Sequence, residues 1–413
     1  MRKVMTIIIF CSMLAFFFTN LDPNEMPKAT SFEVCIGGDS EDYGYFVQQD
    51  RDGGYIIVGT SKSTSDDEED ILLVKLDSYG DLVWKKTFGT KYEDGGVCVK
   101  QAKDGGYIVV GFVGWHQSFE NDYRKSNLYI VRTDSQGKLI WEKTFDTLSN
   151  ENSRGWSVIQ TSDEGFIIAG DDGSYPLLIN IDSKGNVLWQ NVIKEHEGWA
   201  TSIEYADDSN YIIVGNETAF YNDLFAILLN KKGEILWRKK YGGDKNDLVY
   251  SVQKTTDNGY IIGGQTDSFG AGEDDLYLAK IDSEGNMQWN KTYGGEGEES
   301  AYLKNQVQNT IDGGYVVVGM TSGSFGGIGR DIYLVRTKET GDILWTRTYD
   351  YSSNDIGTSI QQTQDGGFII IGSTFGGTLD RNNIILLKTD KEGVIENKGL
   401  KEIRIHPKRK GRT

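Results

Sequence analysis

The sequence predicts an all-β chain: a seven-bladed β-propeller of four-stranded blades, closed by an N-terminal strand that completes blade 7. Three observations predict it. One phrase returns seven times, a tryptophan follows it at a near-constant place in six copies, and no helical periodicity is sustained after the first twenty residues. Composition agrees: the 413 residues include 51 Gly, 22 Tyr and 17 Phe but only 4 Pro, which suits tight turns between pleated, aromatic-rich strands.

At the start, Arg2 and Lys3 precede an apolar run from Val4 to Phe18. That run is short for a spanning helix and suits a signal peptide over 1–20. No small-x-small pattern follows Phe18, so an N-terminal membrane anchor is the alternative. Either way the expected location is secreted or cell-envelope. Residues 21–31 read as a linker, 32–397 as the propeller and 398–413 as a basic, solvated tail. Cys11 belongs to the leader, and Cys35 and Cys98 fall in separate repeats, so both are expected to be free thiols. A net charge of −18 disfavours nucleic acid as a partner.

The repeated phrase is a turn with Asp and Gly, an aromatic, an aliphatic run, then Gly. The aromatics are Tyr55, Tyr107, Phe166, Tyr211, Tyr260, Tyr315 and Phe368, and Gly follows four residues later in every copy. Each copy, repeats 1 to 7 below, goes on to a second apolar run such as Asp70–Lys75. A turn such as Asp77–Gly80 follows, and then Trp84, Trp141, Trp189, Trp237, Trp289 or Trp345. That makes four short strands per repeat. A unit of this kind must bury both faces against its neighbours. Tryptophan on the outer strand serves that need by covering roughly 150–250 Å² of the next blade. These six tryptophans are therefore read as structural.

Repeat 7 offers Asn397 where its tryptophan is due, whereas stepping 23 residues back from Tyr55 lands on Phe32. Residues 32–36 are therefore expected to supply the missing outer strand by pairing with 384–389, with Phe32 in the docking role. The competing strand is Leu400–Ile405, which also alternates.

The spacing Asp-x-x-Gly-x-x-x-Trp at Asp77-Gly80-Trp84, Asp134-Gly137-Trp141, Asp182-Gly185-Trp189 and Asp282-Gly285-Trp289 resembles the tryptophan-docking repeat of quinoprotein-like (PQQ-type repeat) propellers. Asn230 and Lys338 replace the Asp in two copies. The phrase Gly53-Gly54-Tyr55-Ile56-Ile57-Val58-Gly59 is similar to repeats of uncharacterised secreted propeller proteins. The resemblance implies blade architecture. Its quinone dehydrogenases have eight blades, a calcium site and a vicinal disulfide, none of which maps here, so no cofactor and no metal is expected.

On a four-stranded blade, the second-to-third loops and the blade-to-blade connections share one face. Here those segments vary in length while the opposite turns are uniform, and variable loops on a rigid scaffold are where binding resides. Trp115, Trp156 and Trp199 fall outside the docking series, and all map to this face with His116, Phe119 and His196. They suggest an aromatic patch over repeats 2–4, with a protein or glycan as ligand; the competing reading is that Trp156 and Trp199 only fill gaps. The acidic run Asp66–Asp70 reads as a solvated loop. Asp or Asn opening the third strand at 70, 127, 223, 275, 331 and 383 reads as a backbone cap. The functional expectation is a monomeric, non-catalytic binding or scaffold propeller. A secreted polysaccharide hydrolase, endoglucanase-like, is the alternative and needs two carboxylates across a groove. A quinone- or calcium-dependent oxidoreductase ranks third.

Overall fold

The computed structural model describes residues 31–64, 68–116, 125–145, 152–195, 197–301, 306–325, 329–376, 381–396 and 399–406. The leader 1–20 lies outside them. Every regular element among the described residues is a strand. Repeat 1 sets the pattern, with Asp42–Gln49, Tyr55–Ser61, Asp70–Leu76 and Leu82–Phe88 pairing in chain order as an antiparallel sheet. Repeats 2 to 5 each form a separate sheet of the same four-strand order. Repeats 6 and 7 share a ten-stranded sheet, joined by the single parallel pair Arg330↔Asn354. This is the architecture of a β-propeller.

The turns follow from local chemistry. Gly53 and Gly80 sit at φ of 84° and 79°, the left-handed region that other residues resist. Asp52 accepts the Gly54 amide, and Asp77 accepts those of Tyr79 and Asp81, so each turn is held from within. Strands two and three are apolar on both faces because each sheet is covered on both sides, and their side chains form the clusters between successive repeats.

The seven-fold glycine ending the phrase has a steric cause. The first strand carries a one-residue bulge in repeats 1 to 5 and 7, between Gly44 and Phe46 in repeat 1 and between Val249 and Ser251 in repeat 5. The bulge pushes a main-chain carbonyl toward the second strand. A Cβ on Gly59, Gly111, Gly170, Gly215, Gly264 or Gly372 would overlap that backbone, from the Tyr43 carbonyl in repeat 1 to that of Ile356 in repeat 7. In repeat 6, where no bulge falls among the described residues, a Cβ on Gly319 would overlap the Ser300 carbonyl.

Each docking tryptophan lies on the turn glycine of the next repeat: Trp84 on Gly137, Trp141 on Gly185, Trp189 on Gly233, Trp237 on Gly285, Trp289 on Gly341 and Trp345 on Gly393. Trp84 also meets Tyr107 edge-on at 5.8 Å. Phe32 occupies the same position against Gly80, with its ring 5.7 Å from Tyr55. Its strand, Phe32–Gly37, pairs antiparallel with the third strand of repeat 7 from Phe32↔Lys388 to Ile36↔Ile384. The segment read as a solvated tail contributes a further strand, Leu400–Arg404, parallel to Phe32–Gly37 on its far side. The tail reading missed it because the packed residues are few: Ile403 and the buried Ile405 join the cluster around Phe32, Val34 and Ile36.

First strands touch in succession along the repeats, and that of repeat 7, Asn354–Gln362, touches that of repeat 1. Amide side chains tie them at the junctions of repeats 1 with 2, 5 with 6 and 7 with 1, and the hydroxyls of Ser157 and Ser202 do so at those of 3 with 4 and 4 with 5. Gln48 Oε1 accepts the Gln101 amide of repeat 2 at 2.8 Å, Gln253 accepts that of Asn309, and Gln361 of repeat 7 accepts that of Gln49 in repeat 1. On the turn end, Lys75, Lys280 and Lys388 are buried against the turn carboxylates of Asp52, Asp257 and Asp365, and Arg132 and Arg336 against Asp104 and Asp312. Burial alone would raise Asp257; hydrogen bonds from Thr255 and Lys280 outweigh it and bring the carboxyl down to about 2.

Candidate functional site

Of the aromatic residues singled out in the sequence, Trp115, Trp156 and Trp199 lie on described strands of repeats 2, 3 and 4. Trp115 and His116 lie in the second strand of repeat 2, which runs Tyr107–His116 and pairs His116 with Lys125. Pairing in this hairpin resumes past an irregularity at Val113, beside Gly114 at φ 86°. Phe119 and His196 lie outside the described residues. Trp199 is half-buried and pairs with Asn216, two residues before its strand's bulge.

Trp156 is itself the bulged residue of its strand, between Gly155 and Ser157, and this turns it toward the channel between first strands. Its indole N–H donates to Asp171 Oδ2. The Arg154 guanidinium stands 5.8 Å from the Trp156 ring and 5.2 Å from the Phe112 ring, a cation between two π faces drawn from repeats 2 and 3. Below them a cavity of about 40 Å³ is lined by Phe46, Lys100, Trp156, Glu204 and Tyr250, among others, room for a few waters. Burial raises the Glu204 carboxyl, against the Tyr205 amide, Lys100 and Lys254. Sequence reading could find Trp156 as a non-docking tryptophan. It missed Arg154 and Asp171 because an Arg and an Asp on neighbouring strands carry no signal without the register Arg154↔Asp171.

A second pattern on the same face was only half visible. The acid opening the third strand of one repeat meets an acid opening the first strand of the next, across a connection glycine. Asp70 and Asp94 flank Gly89, Asp223 and Asp247 flank Gly242, and Asp275 and Glu299 flank Gly294. The first-strand acids do most of the capping: Asp42 accepts the Gly38 amide, Asp247 that of Gly243 and Glu299 that of Gly295. Among the third-strand acids, Asp275 caps the Ala271 amide. Asp331, Asp350 and Asp355 form a further close acidic group. Asp223 has Lys240 at 2.8 Å, whereas among the described residues no cation pairs with Asp275 or Glu299. Burial, then Glu299 and Asp274, lift Asp275 to about 6 despite the Ala271 amide. Asp94, Asp247, Asp275 and Glu299 are buried, whereas Asp70 and Asp223 are half-buried.

A raised carboxyl favours folding while protonated and loses that contribution as pH climbs through about 6. Asp275→Asn, the residue type the chain itself uses at Asn383, is expected to raise the melting temperature at pH 8 by about 2–4 °C and to change it little below about pH 4, where the carboxyl is protonated in folded and unfolded chain alike. An equal shift at both pH values refutes the charge account.

No family model and no curated protein matches the chain. Among solved structures it is similar to the WD40 domain of Neurospora crassa Pan2, at 11% identity over 86% of this chain and 90% of that one, with a TM-score of 0.51. BBS1N in complex with ARL6DN aligns at 10% identity over 89% and 98%, TM-score 0.49. Drosophila Plexin A in complex with Semaphorin 1b aligns at 9% over 88% and 86%, TM-score 0.48. Likeness at this identity shows the β-propeller fold alone.

Proposed function

We propose that this chain is a closed seven-bladed propeller acting as a non-catalytic binding module, with a partner protein or glycan engaged by the variable-loop face over repeats 2–4. Seven blades are supported by the cyclic succession of first strands and by Gln361 of repeat 7 holding Gln49 of repeat 1. Repeats 6 and 7 then count as two blades bridged by one residue pair. Closure by the N-terminal strand is supported by its pairing with Asn383–Thr389 and by Phe32 standing on Gly80 as the tryptophans stand on their glycines. The apolar leader Val4–Phe18 supports export, with the propeller outside the cytoplasm or held at the cell envelope. The docking repeat keeps its likeness to quinoprotein-like propellers, for architecture only.

The observation that carries the binding reading is the stack of Phe112, Arg154 and Trp156, fixed by Asp171, at one end of the channel. A planar cation and rigid aromatic faces give contact area at low entropic cost and suit carboxylates, sugar faces or an extended peptide. The test is a glycan array together with a pull-down from the source cell's secreted fraction. Whatever the native protein binds should be held at least about tenfold more weakly by Trp156→Ala and by Arg154→Met, with unchanged melting. A ligand that all three hold equally removes this site.

A further inference from the structure

The same face carries a second feature, on other repeats. The second-to-third loops of repeats 5 and 6 each raise a phenylalanine after a serine, Ser268-Phe269 and Ser324-Phe325. Phe269 lies nearly parallel to Tyr277, at 6.2 Å and 17°, and Phe325 to Tyr333, at 5.2 Å and 15°. Both tyrosines are buried in third strands. Each phenylalanine thus has one face fixed on a rigid support and remains 39% and 47% exposed. The rings stand over connection glycines, Phe269 over Gly243 and Phe325 over Gly295. The two loops are continuous: Gly272 packs on Glu296 and Gly297, and the Gly297 amide donates to Ser324 Oγ at 2.8 Å.

Around this platform acids outnumber bases. Asp267, Glu273, Asp274, Glu296 and Glu298 crowd the two loops and the connection between them, with Lys245 paired to Asp267 and Arg330 to Glu298. The acids feel one another: Asp274 is raised by burial and then by Asp267, Glu298 and Glu273. An open π face beside carboxylates attracts cations, and a guanidinium can stack and form paired hydrogen bonds at once.

We propose that the loops of repeats 5 and 6 dock an extended, arginine-bearing segment of a partner protein, its cationic side chains lying over Phe269 and Phe325. Two platforms joined by one acidic connection suit a chain of spaced cations better than a single small one, and like charge disfavours an anionic partner. This surface shares no residue with the Phe112–Arg154–Trp156 site, so either can fail while the other stands.

The test is fluorescence anisotropy with a labelled peptide of alternating arginine and glycine, at low and at physiological salt. Phe269→Ser with Phe325→Ser leaves the charge unchanged and should weaken binding about tenfold. Glu273→Gln with Glu296→Gln, both exposed residues, should weaken it similarly. Glu164→Gln with Glu284→Gln, exposed on the turn end, should leave it unaltered, as should Trp156→Ala. If the serine pair perturbs the fold, Phe269→Trp with Phe325→Trp replaces it and should hold the peptide at least as tightly as the native chain. Three outcomes overturn the proposal: no binding, binding indifferent to the aromatic substitutions, or equal losses from the turn-end pair, which would mark attraction to net charge only.

Discussion

Deletion of residues 21–38 lowers the melting temperature by at least about 10 °C. Phe32, Val34 and Ile36 are buried between repeats 7 and 1, in one cluster with Tyr55, Ile57, Leu72, Ile384 and Leu386. Burying such side chains stabilises by about 1.5–3 kcal/mol each as an upper estimate, and a loss of several kcal/mol corresponds to a fall of this size. The deletion also uncovers the edge of Asn383–Thr389 and leaves Leu400–Arg404 without its neighbour. That outer strand cannot simply move inward as a substitute, since it brings no aromatic ring to cover Gly80. Phe32→Ala separates the two explanations for any change. A cost of about 3–5 kcal/mol assigns Phe32 the docking role, and native-like melting of both variants refutes closure by this strand.

Gly264→Ala should be nearly as damaging. Its Cβ would meet the Leu248 carbonyl and the Val249 backbone, groups fixed by the bulge and unable to yield as a side chain tip would. Overpacking against main chain costs about 3 kcal/mol or more, so a drop of about 6–10 °C in thermal denaturation is expected. Gly399→Ala is the control, since nothing lies within 4 Å of its Cβ position. Similar melting of the two variants defeats the steric reading of the seven-fold glycine.

Much of this fold could be read in one sequence because a repeat displays its constraints several times over. Gly59 and its six counterparts were visible as a pattern before their cause, a first-strand carbonyl, was known. Phe32 was found by counting from tryptophans to aromatics, a purely periodic argument. What escaped had no period. As a strand, Leu400–Arg404 enters the sequence reading only as a rival to Phe32–Gly37, whereas it adds a further strand beside it, outside the repeat. The cation stack at Arg154 depends on Phe112 and Trp156 arriving from adjacent repeats, which only the packing of sheets brings about. The third-strand acids were noticed singly, because their partners stand at the beginning of the next repeat, some twenty-four residues on in Asp70–Asp94 and Asp275–Glu299.

The glutamine bonds between repeats have a consequence for how such a molecule can come apart. In a linear stack the last unit can peel away and leave the others satisfied, whereas a hoop has no last unit. Lifting repeat 1 out strands the Gln101 peptide nitrogen on one side and the Gln361 amide oxygen on the other, both half-buried. In the closed ring proposed above, partial opening is penalised twice, so the ring yields as a whole or holds.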